Sequence, residues 1–140
     1  MKYGLTDLAN IGNVVCGIVA IVALFISILT YTHTVKKERR MNTLSAISDI
    51  RKKYFNTRTL DDHEKLQYLN ELEYFATGIN MDLYDISVVY KMSGSRLIKQ
   101  YETWAKQFIE ARQNQFGNQR AYCEYEEMIR KLLEEKQKGC

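Results

Sequence analysis

One long uncharged stretch, residues 8–35, most constrains what this chain can fold into. Asp7 precedes the stretch and Lys36 follows it, and no Asp, Glu, Lys or Arg lies between them. Its centre is dominated by Val, Ile, Ala and Leu. About 20 helical residues, at ~1.5 Å rise each, cross a hydrocarbon core of ~30 Å, so the stretch predicts a transmembrane helix. A signal peptide has a shorter apolar run with positive charge before it, so we expect a retained anchor.

The small and weakly polar residues of this stretch recur at alternating spacings of four and three. Such a heptad repeat places its members along one face of a helix. We call this face the seam, and its members are Ala9, Asn13, Cys16, Ala20, Ala23, Ser27, Thr30 and Thr34. Membrane helices associate through close packing of small residues and through hydrogen bonds between polar ones, so the seam predicts a homo-oligomer. Two alternatives stay open: chance segregation of small residues, and a wider ring in which the seam lines a water-filled path.

The composition of the remaining residues is typical of an all-α domain. The 140-residue chain contains no Pro and only seven Gly. About 100 residues remain after the uncharged stretch, which is enough for one modest hydrophobic core. We therefore predict an all-α protein with a single N-terminal transmembrane helix that continues into a cytoplasmic helical bundle. The expected domains are an external tail and transmembrane helix at 1–35 and a cytoplasmic helical domain at 36–140.

Basic residues are concentrated directly after the uncharged stretch. We call this set the collar, and its members are Lys36, Lys37, Arg39, Arg40, Arg51, Lys52, Lys53 and Arg58. By the positive-inside rule, the first four predict that the N-terminus lies outside and the C-terminal domain in the cytoplasm. The ordinary interpretation of the collar is contact with anionic lipid, worth about 1 kcal/mol per basic residue near the surface. An anion or nucleic-acid site is the alternative, and the two can coexist.

The transmembrane helix should continue beyond the membrane, because no helix-breaking residue appears before Asn56. One apolar face of this continuation comprises Leu44, Ile47, Ile50 and Tyr54. A turn is predicted at residues 56–59, and Asp61 or Asp62 can cap the next helix. The apolar side of that helix comprises Leu66, Leu69, Leu72, Phe75 and Ala76. We expect the helix to end at Gly78, as a glycine just past a helix C-terminus.

Three further helices are predicted, separated by glycine-containing turns at residues 93–95 and 115–118. The first is expected to start at Asp82, with inward side chains Leu83, Ile86, Val89 and Tyr90. The second follows an amphipathic spacing through Leu97, Ile98, Tyr101, Trp104, Ala105, Phe108 and Ile109. The last presents Tyr122, Tyr125, Ile129 and Leu132. The first two helices superficially resemble a DNA-binding helix-turn-helix, but Tyr90 and Gln100 occupy positions where that motif favours a small and an apolar residue.

Catalytic chemistry has little support in this sequence. His33 lies at the membrane edge and His63 lies in an acidic helix start beside Asp62 and Glu64. The sequence lacks metal-ligand spacing, a phosphate-binding glycine loop and a nucleophile–base set. We therefore predict no enzymatic activity, no catalytic or metal site and no cofactor.

Three segments of the second half carry a resemblance to a known family. They are YLNELEYFATGI at 68–79, LYDI at 83–86 and GSRLIKQYETW at 94–104. Together they resemble a family of uncharacterised bacterial proteins that have one N-terminal membrane helix and a small cytoplasmic helical domain. The family has no assigned activity, so the resemblance assigns no site residues. It implies a bacterial inner-membrane protein, and proteins of this architecture often act on membranes in anti-phage defence.

These patterns predict a homo-oligomeric membrane effector, pore- or channel-forming in bacterial anti-phage defence and gated by its cytoplasmic domain. The expected partners are further copies of the chain, the lipid bilayer, and a cytoplasmic protein or a nucleotide or oligonucleotide regulator. Tyr68, Tyr84 and Tyr101 are expected to pack as amphipathic aromatics, with stacking on a nucleotide as the alternative. The alternative function is a membrane-anchored scaffold that recruits a cytoplasmic protein partner.

Overall fold

The computed structural model describes residues 4–55, 59–118 and 120–138, apart from the side chains of residues 5–9. Within these residues the chain forms helices and no strand, which confirms the all-α prediction. The helices are α1 (Leu5–Lys53), α2 (Asp62–Asn80), α3 (Ile86–Phe116) and α4 (Cys123–Lys138). Two segments of α3 have π-helical geometry, Tyr90–Gly94 and Tyr101–Ala105.

The chain divides into two compact units, Met1–Glu38 and Arg39–Cys140. In the first unit every side chain from residue 10 to residue 38 is exposed. Helix α1 is long and apolar enough to cross a membrane, as the uncharged stretch predicts. The second unit is a helical domain, which we call the domain.

The hydrophobic core of the domain contains side chains from all four helices. Its buried members include Ile47, Tyr54, Tyr68, Leu69, Leu72, Phe75, Ala76, Ile79, Val89, Leu97, Ile98, Ala105, Ile109, Tyr125, Met128, Ile129 and Leu132. Most of the apolar faces predicted from helical spacing are therefore buried faces. Residues of α1 belong to this core, so the C-terminal part of the long helix is an integral element of the domain.

The predicted continuation of α1 is confirmed, because the helix ends at Lys53. The predicted apolar face is wrong at Leu44, which is 37% exposed. Thr43 is fully buried in its place. A polar residue is stable there because its hydroxyl group has two hydrogen-bond partners, which are described below.

Helix α2 begins as predicted and ends later than predicted. Asp61 caps its N-terminus: its side chain accepts from the Glu64 N–H at 2.7 Å, and the Asp61 N–H donates back to the Glu64 carboxylate at 3.0 Å. The prediction that the helix ends at Gly78 is wrong, because α2 continues to Asn80. A Cβ atom on Gly78 would lie 2.5 Å from the Tyr84 ring. This glycine within the helix therefore allows the Tyr84 ring to pack closely against α2.

The predicted start of the next helix at Asp82 is wrong. Asp82 has a φ of 60°, and Asp85 is the residue that caps α3, accepting from the Ser87 N–H at 3.0 Å. Leu83 consequently lies in the connecting loop and is 60% exposed instead of facing inward.

The predicted break at residues 93–95 is also wrong, because the chain is helical throughout α3. Ser93 and Gly94 are both buried within it. A Cβ atom on Gly94 would lie 2.6 Å from the ring of Tyr90, four residues earlier on α3, so side-chain packing along this helix requires the glycine here.

The turn at 115–118 is confirmed. Gly117 has a φ of 64° and ends α3 in the left-handed conformation that favours glycine. Residues 56–58 of the other predicted turn lie outside the described residues.

Candidate functional site

The described members of the seam, Asn13 to Thr34, lie on α1 and are exposed, as is every other side chain of this stretch. The Ser27 hydroxyl donates to the Ala23 carbonyl and the Thr30 hydroxyl to the Ile26 carbonyl, each at 2.8 Å. Thr32, which is not on the seam, makes an equivalent bond at 2.9 Å. These bonds satisfy the hydroxyl groups within a single apolar helix. They do not test self-association through the seam, which stays a prediction. The side chain of Ala9 lies outside the described residues.

The structure gives most members of the collar a partner. Lys36 and Lys37 lie in the first unit and are exposed. Lys52 pairs with Asp49 one turn earlier, and Arg51 donates to the Met92 carbonyl at 3.5 Å. Arg39, Arg40 and Lys53 bind acidic groups of the domain, as described next, and Arg58 lies outside the described residues.

The loop before α3 contacts α1 through two arginines. Arg39 Nη2 donates to Asp82 Oδ1 at 2.9 Å and to the Tyr84 carbonyl oxygen at 2.8 Å. Arg40 Nε donates to Asp85 Oδ2 at 3.3 Å. These contacts connect residues more than 40 positions apart in the sequence, so they define tertiary structure and not local helix stability.

Thr43 completes this contact at its buried side. Its hydroxyl donates to the Arg39 carbonyl at 2.7 Å and accepts from the Asp85 N–H at 2.8 Å. The Asp85 N–H is a partly buried donor at a helix start, where backbone groups lack intrahelical partners. We call the assembly of Arg39, Arg40 and Thr43 with loop residues 82–85 the clamp.

The loop of the clamp is in turn fixed to the rest of the domain. The Tyr84 ring stacks on Phe75 of α2, with 5.0 Å between the ring centroids, in the space left by Gly78. Ser87, at the start of α3, donates to Glu135 of α4 at 3.2 Å. The clamp and Ser87 together therefore connect α1 to α2, α3 and α4.

A second set of contacts holds α1 at its C-terminal end. The Tyr54 hydroxyl donates to Glu71 of α2 at 3.0 Å, and Lys53 forms an ion pair with the same carboxylate. Arg96 of α3 donates to the carbonyl groups of Tyr54 at 3.1 Å and Phe55 at 2.8 Å. The segment from Arg39 to Tyr54, about 22 Å of helix at ~1.5 Å per residue, is thus held at both ends.

The three tyrosines considered for nucleotide stacking have separate partners in the domain. Tyr68 is buried and donates to Gln100 at 2.8 Å, and burial raises the pKa of Tyr68 to about 12. Tyr84 stacks on Phe75, and Tyr101 donates to Glu126 at 3.1 Å. The structure does not bring these tyrosines together as one stacking surface.

Glu73 is a structural residue that the sequence did not single out. Its carboxylate accepts from the Tyr125 N–H at 2.7 Å and from the Glu124 N–H at 3.3 Å, and so caps the start of α4. Partial burial raises the pKa of Glu73 above its ordinary value, although these two bonds oppose the rise. A cap supplied from another helix has no local sequence pattern, which is why it was missed.

Two of the cavities of the domain adjoin these contacts. One, of about 260 Å³, lies beside the clamp and is lined by charged groups of Arg39, Asp82, Lys131 and Lys138 among others. The other is an open apolar groove of about 380 Å³ between α1 and α2, beside Ile50. Within residues 4–55, 59–118 and 120–138, no three His, Cys, Asp or Glu side chains are grouped as metal ligands.

Fold and site together define an all-α protein in which one candidate membrane-spanning helix extends into a small helical domain. The chain belongs to the family described as domain of unknown function DUF4760, whose family model matches residues 17–132. The match begins within the uncharged stretch and includes nearly all of the domain. No curated protein and no solved structure matches the chain.

Proposed function

We propose that this protein is a homo-oligomeric membrane effector in which the domain controls the state of the membrane helix. The observation that carries the proposal is that the domain holds the C-terminal part of α1 at both ends, through the clamp at Arg39 and through Tyr54 directly after the helix. The seam lies on the same uninterrupted helix. In this proposal a rearrangement of the domain is transmitted to the seam along α1.

The chemistry of the clamp supports a role in switching. Its ion pairs are partly exposed, with the Asp82 side chain 85% exposed, and exposed ion pairs contribute only about 0–1 kcal/mol each. The core of the domain, in contrast, is fully covered. A signal can therefore break these ion pairs at small cost while the domain stays folded.

In this proposal the seam assembles copies of α1 into a pore in a bacterial inner membrane. The basic residues at 36–40 favour an orientation with the N-terminus outside and the domain in the cytoplasm. The domain holds the pore closed until a cytoplasmic protein or nucleotide-type signal arrives. Opening would permeabilise the membrane of an infected cell, which is the output of an anti-phage effector.

A larger apolar residue on the seam tests this proposal. In a ring with a lumen, Ala23→Leu adds a hydrophobic constriction that can close by dewetting, so ion flux falls while the oligomer survives. In a dry bundle the same change overpacks the contact and breaks the oligomer. The experiment measures ion flux in liposomes and oligomer size in detergent for wild type and Ala23→Leu. Val19→Leu, which places a leucine off the seam and adds one methylene group, is the control and should leave both readouts unchanged.

We expect flux to fall in Ala23→Leu with oligomer size unchanged. Equal effects of Ala23→Leu and Val19→Leu would remove the seam from the mechanism. If wild type conducts under no tested trigger, the pore is wrong, and a membrane-anchored scaffold that recruits a cytoplasmic protein becomes the better account.

A further inference from the structure

The cavity beside the clamp is lined by both cationic and anionic side chains. Three cationic side chains line it, namely Arg39, Lys131 and Lys138, together with the carboxylates of Asp82, Glu134 and Glu135. Each carboxylate already has a cationic partner: Asp82 binds Arg39, Glu135 binds Lys138, and Glu134 binds Arg130. The lining therefore holds three cationic and three anionic groups, and without the Asp82 carboxylate it would carry one more positive than negative charge.

Two cationic side chains of the lining, Lys131 and Arg39, have no carboxylate partner other than Asp82 among the contacts of the described residues. Lys131 Nζ donates to the neutral Asn80 amide oxygen at 2.8 Å. Arg39 uses Nη2 for both of its contacts in the clamp, while its Nε is buried and has no acceptor among the residues that the structure describes. A buried cationic donor without an acceptor is costly, and an anion is the ligand that removes this cost.

The ion pair between Asp82 and Arg39 is weak. The Asp82 side chain is 85% exposed, so solvent screens its attraction to Arg39. It also accepts one hydrogen bond from Nη2, whereas a phosphate group can bind a guanidinium through two parallel bonds that include Nε. A phosphate group that replaces Asp82 therefore offers an acceptor to the Nε of Arg39, and Lys131 lines the same cavity.

We propose that this cavity binds a phosphate monoester group between Arg39 and Lys131, in exchange for the side chain of Asp82. The exchange removes one of the two ion pairs that hold the loop of the clamp on α1. Its regulatory consequence, release of the membrane helix, rests on the proposed function above, whereas binding itself does not. Two sources carry the same chemistry: a free phosphate compound and the headgroup of an anionic phospholipid.

The test is calorimetric titration of the full chain, in nanodiscs of phosphatidylcholine, with inorganic phosphate at constant ionic strength. We expect saturable binding, weakened about tenfold or more in Arg39→Lys, which keeps the charge and loses the two-bond geometry. Lys131→Gln should weaken binding about threefold or more. Lys106→Gln, which removes an exposed cation of α3 outside the cavity, should change the affinity less than about twofold.

The decisive variant is Asp82→Asn, which removes the competing carboxylate and should tighten phosphate binding about tenfold. A misfolded variant does not gain affinity, so this result separates competition from damage to the fold. Absence of saturable binding, wild-type affinity in Arg39→Lys, or no gain in Asp82→Asn would each overturn the site. Adding phosphatidic acid to the nanodiscs assigns the source: competition with inorganic phosphate supports the lipid headgroup, and unchanged affinity supports a free phosphate compound. Because no flux is measured, this result is independent of whether the protein conducts.

Discussion

The two units of this chain are both rich in apolar side chains, but these side chains are exposed in the first unit and largely buried in the domain. Leu24 and Phe25 in the first unit are 63% and 66% exposed, whereas Leu69 and Leu72 in the domain are fully buried. The domain covers its apolar faces with its own helices, while the described part of the first unit is a single helix that cannot cover itself. A surface this apolar requires an apolar solvent or another protein chain, and this requirement is the physical basis for placing it in a membrane.

The polar groups of the two units differ in the same way. On the candidate membrane-spanning helix, Ser27 and Thr30 bind carbonyl groups one turn earlier on their own helix. In the domain, Thr43 and Tyr54 bind residues on other elements. The first unit thus satisfies these hydroxyl groups locally, as a helix in hydrocarbon must, and the domain uses polar groups to fix its helices to one another.

Truncation of a leucine to alanine should give the largest difference in stability between changes in the two units. Leu72→Ala removes a fully buried side chain, and we expect a loss of about 2–5 kcal/mol in the free energy of unfolding of the domain. Leu24→Ala, the matched change in the first unit, should leave domain stability unchanged. Denaturant unfolding of the full chain in detergent, followed by near-UV circular dichroism, measures both. Equal losses would mean that the apolar surface of the first unit is part of the folded core.

Alkaline pH tests the burial of the aromatic core. Burial raises the pKa of Tyr68 to about 12 from a model-compound value of 10.0, so the unfolded chain ionises first as the pH rises. The contribution is intact below pH 10 and is lost between about pH 10 and 12, which at ~1.4 kcal/mol per pH unit amounts to about 3 kcal/mol. Unfolding at pH 8 and pH 11.5 should therefore show a smaller pH-dependent loss in Tyr68→Phe than in wild type. The exposed Tyr74→Phe is the control, and parallel behaviour of the two variants would contradict the burial of Tyr68.

Substitution of a glycine by alanine should give a smaller difference in domain stability between changes in the two units. Gly78→Ala places a Cβ atom 2.5 Å from the Tyr84 ring and should displace that ring from Phe75, at a cost of about 1–3 kcal/mol. Gly17→Ala has nothing within 4 Å and should not affect the domain. Thermal unfolding and near-UV circular dichroism report the two effects, and a stabilised Gly78→Ala domain would show that the ring is not packed there.

Helical periodicity was sufficient to predict most buried faces, including Leu69, Leu72, Ile109 and Leu132. The period of a helix determines which side chains share a face, so the spacing of apolar residues in the local sequence is enough to predict these buried faces. The predictions failed at Gly78, because a glycine that ends a helix and one that accommodates a ring look the same in sequence. The ring that decides between them, Tyr84, arrives from a loop six residues later.

The clamp could not be predicted for a related reason. Arg39 and Arg40 follow the membrane segment directly, where basic residues are expected to face lipid headgroups. Their acidic partners, Asp82 and Asp85, are 43 and 45 residues away in the sequence. Thr43 likewise looks like a solvent-facing polar residue, because only the folded domain brings a backbone donor to it.

Disulfide cross-linking along the membrane helix tests most directly the central claim that copies of the first unit cover one another through the seam. With Cys123 and Cys140 replaced by Ser, mild oxidation in membranes should still produce dimers through Cys16, since disulfides require Cα atoms within about 7 Å. Moving this cysteine to Val19 or Val22, on the bulky face, should abolish the dimers. Equal cross-linking from the seam and from the bulky face would indicate random collision and would contradict assembly through the seam.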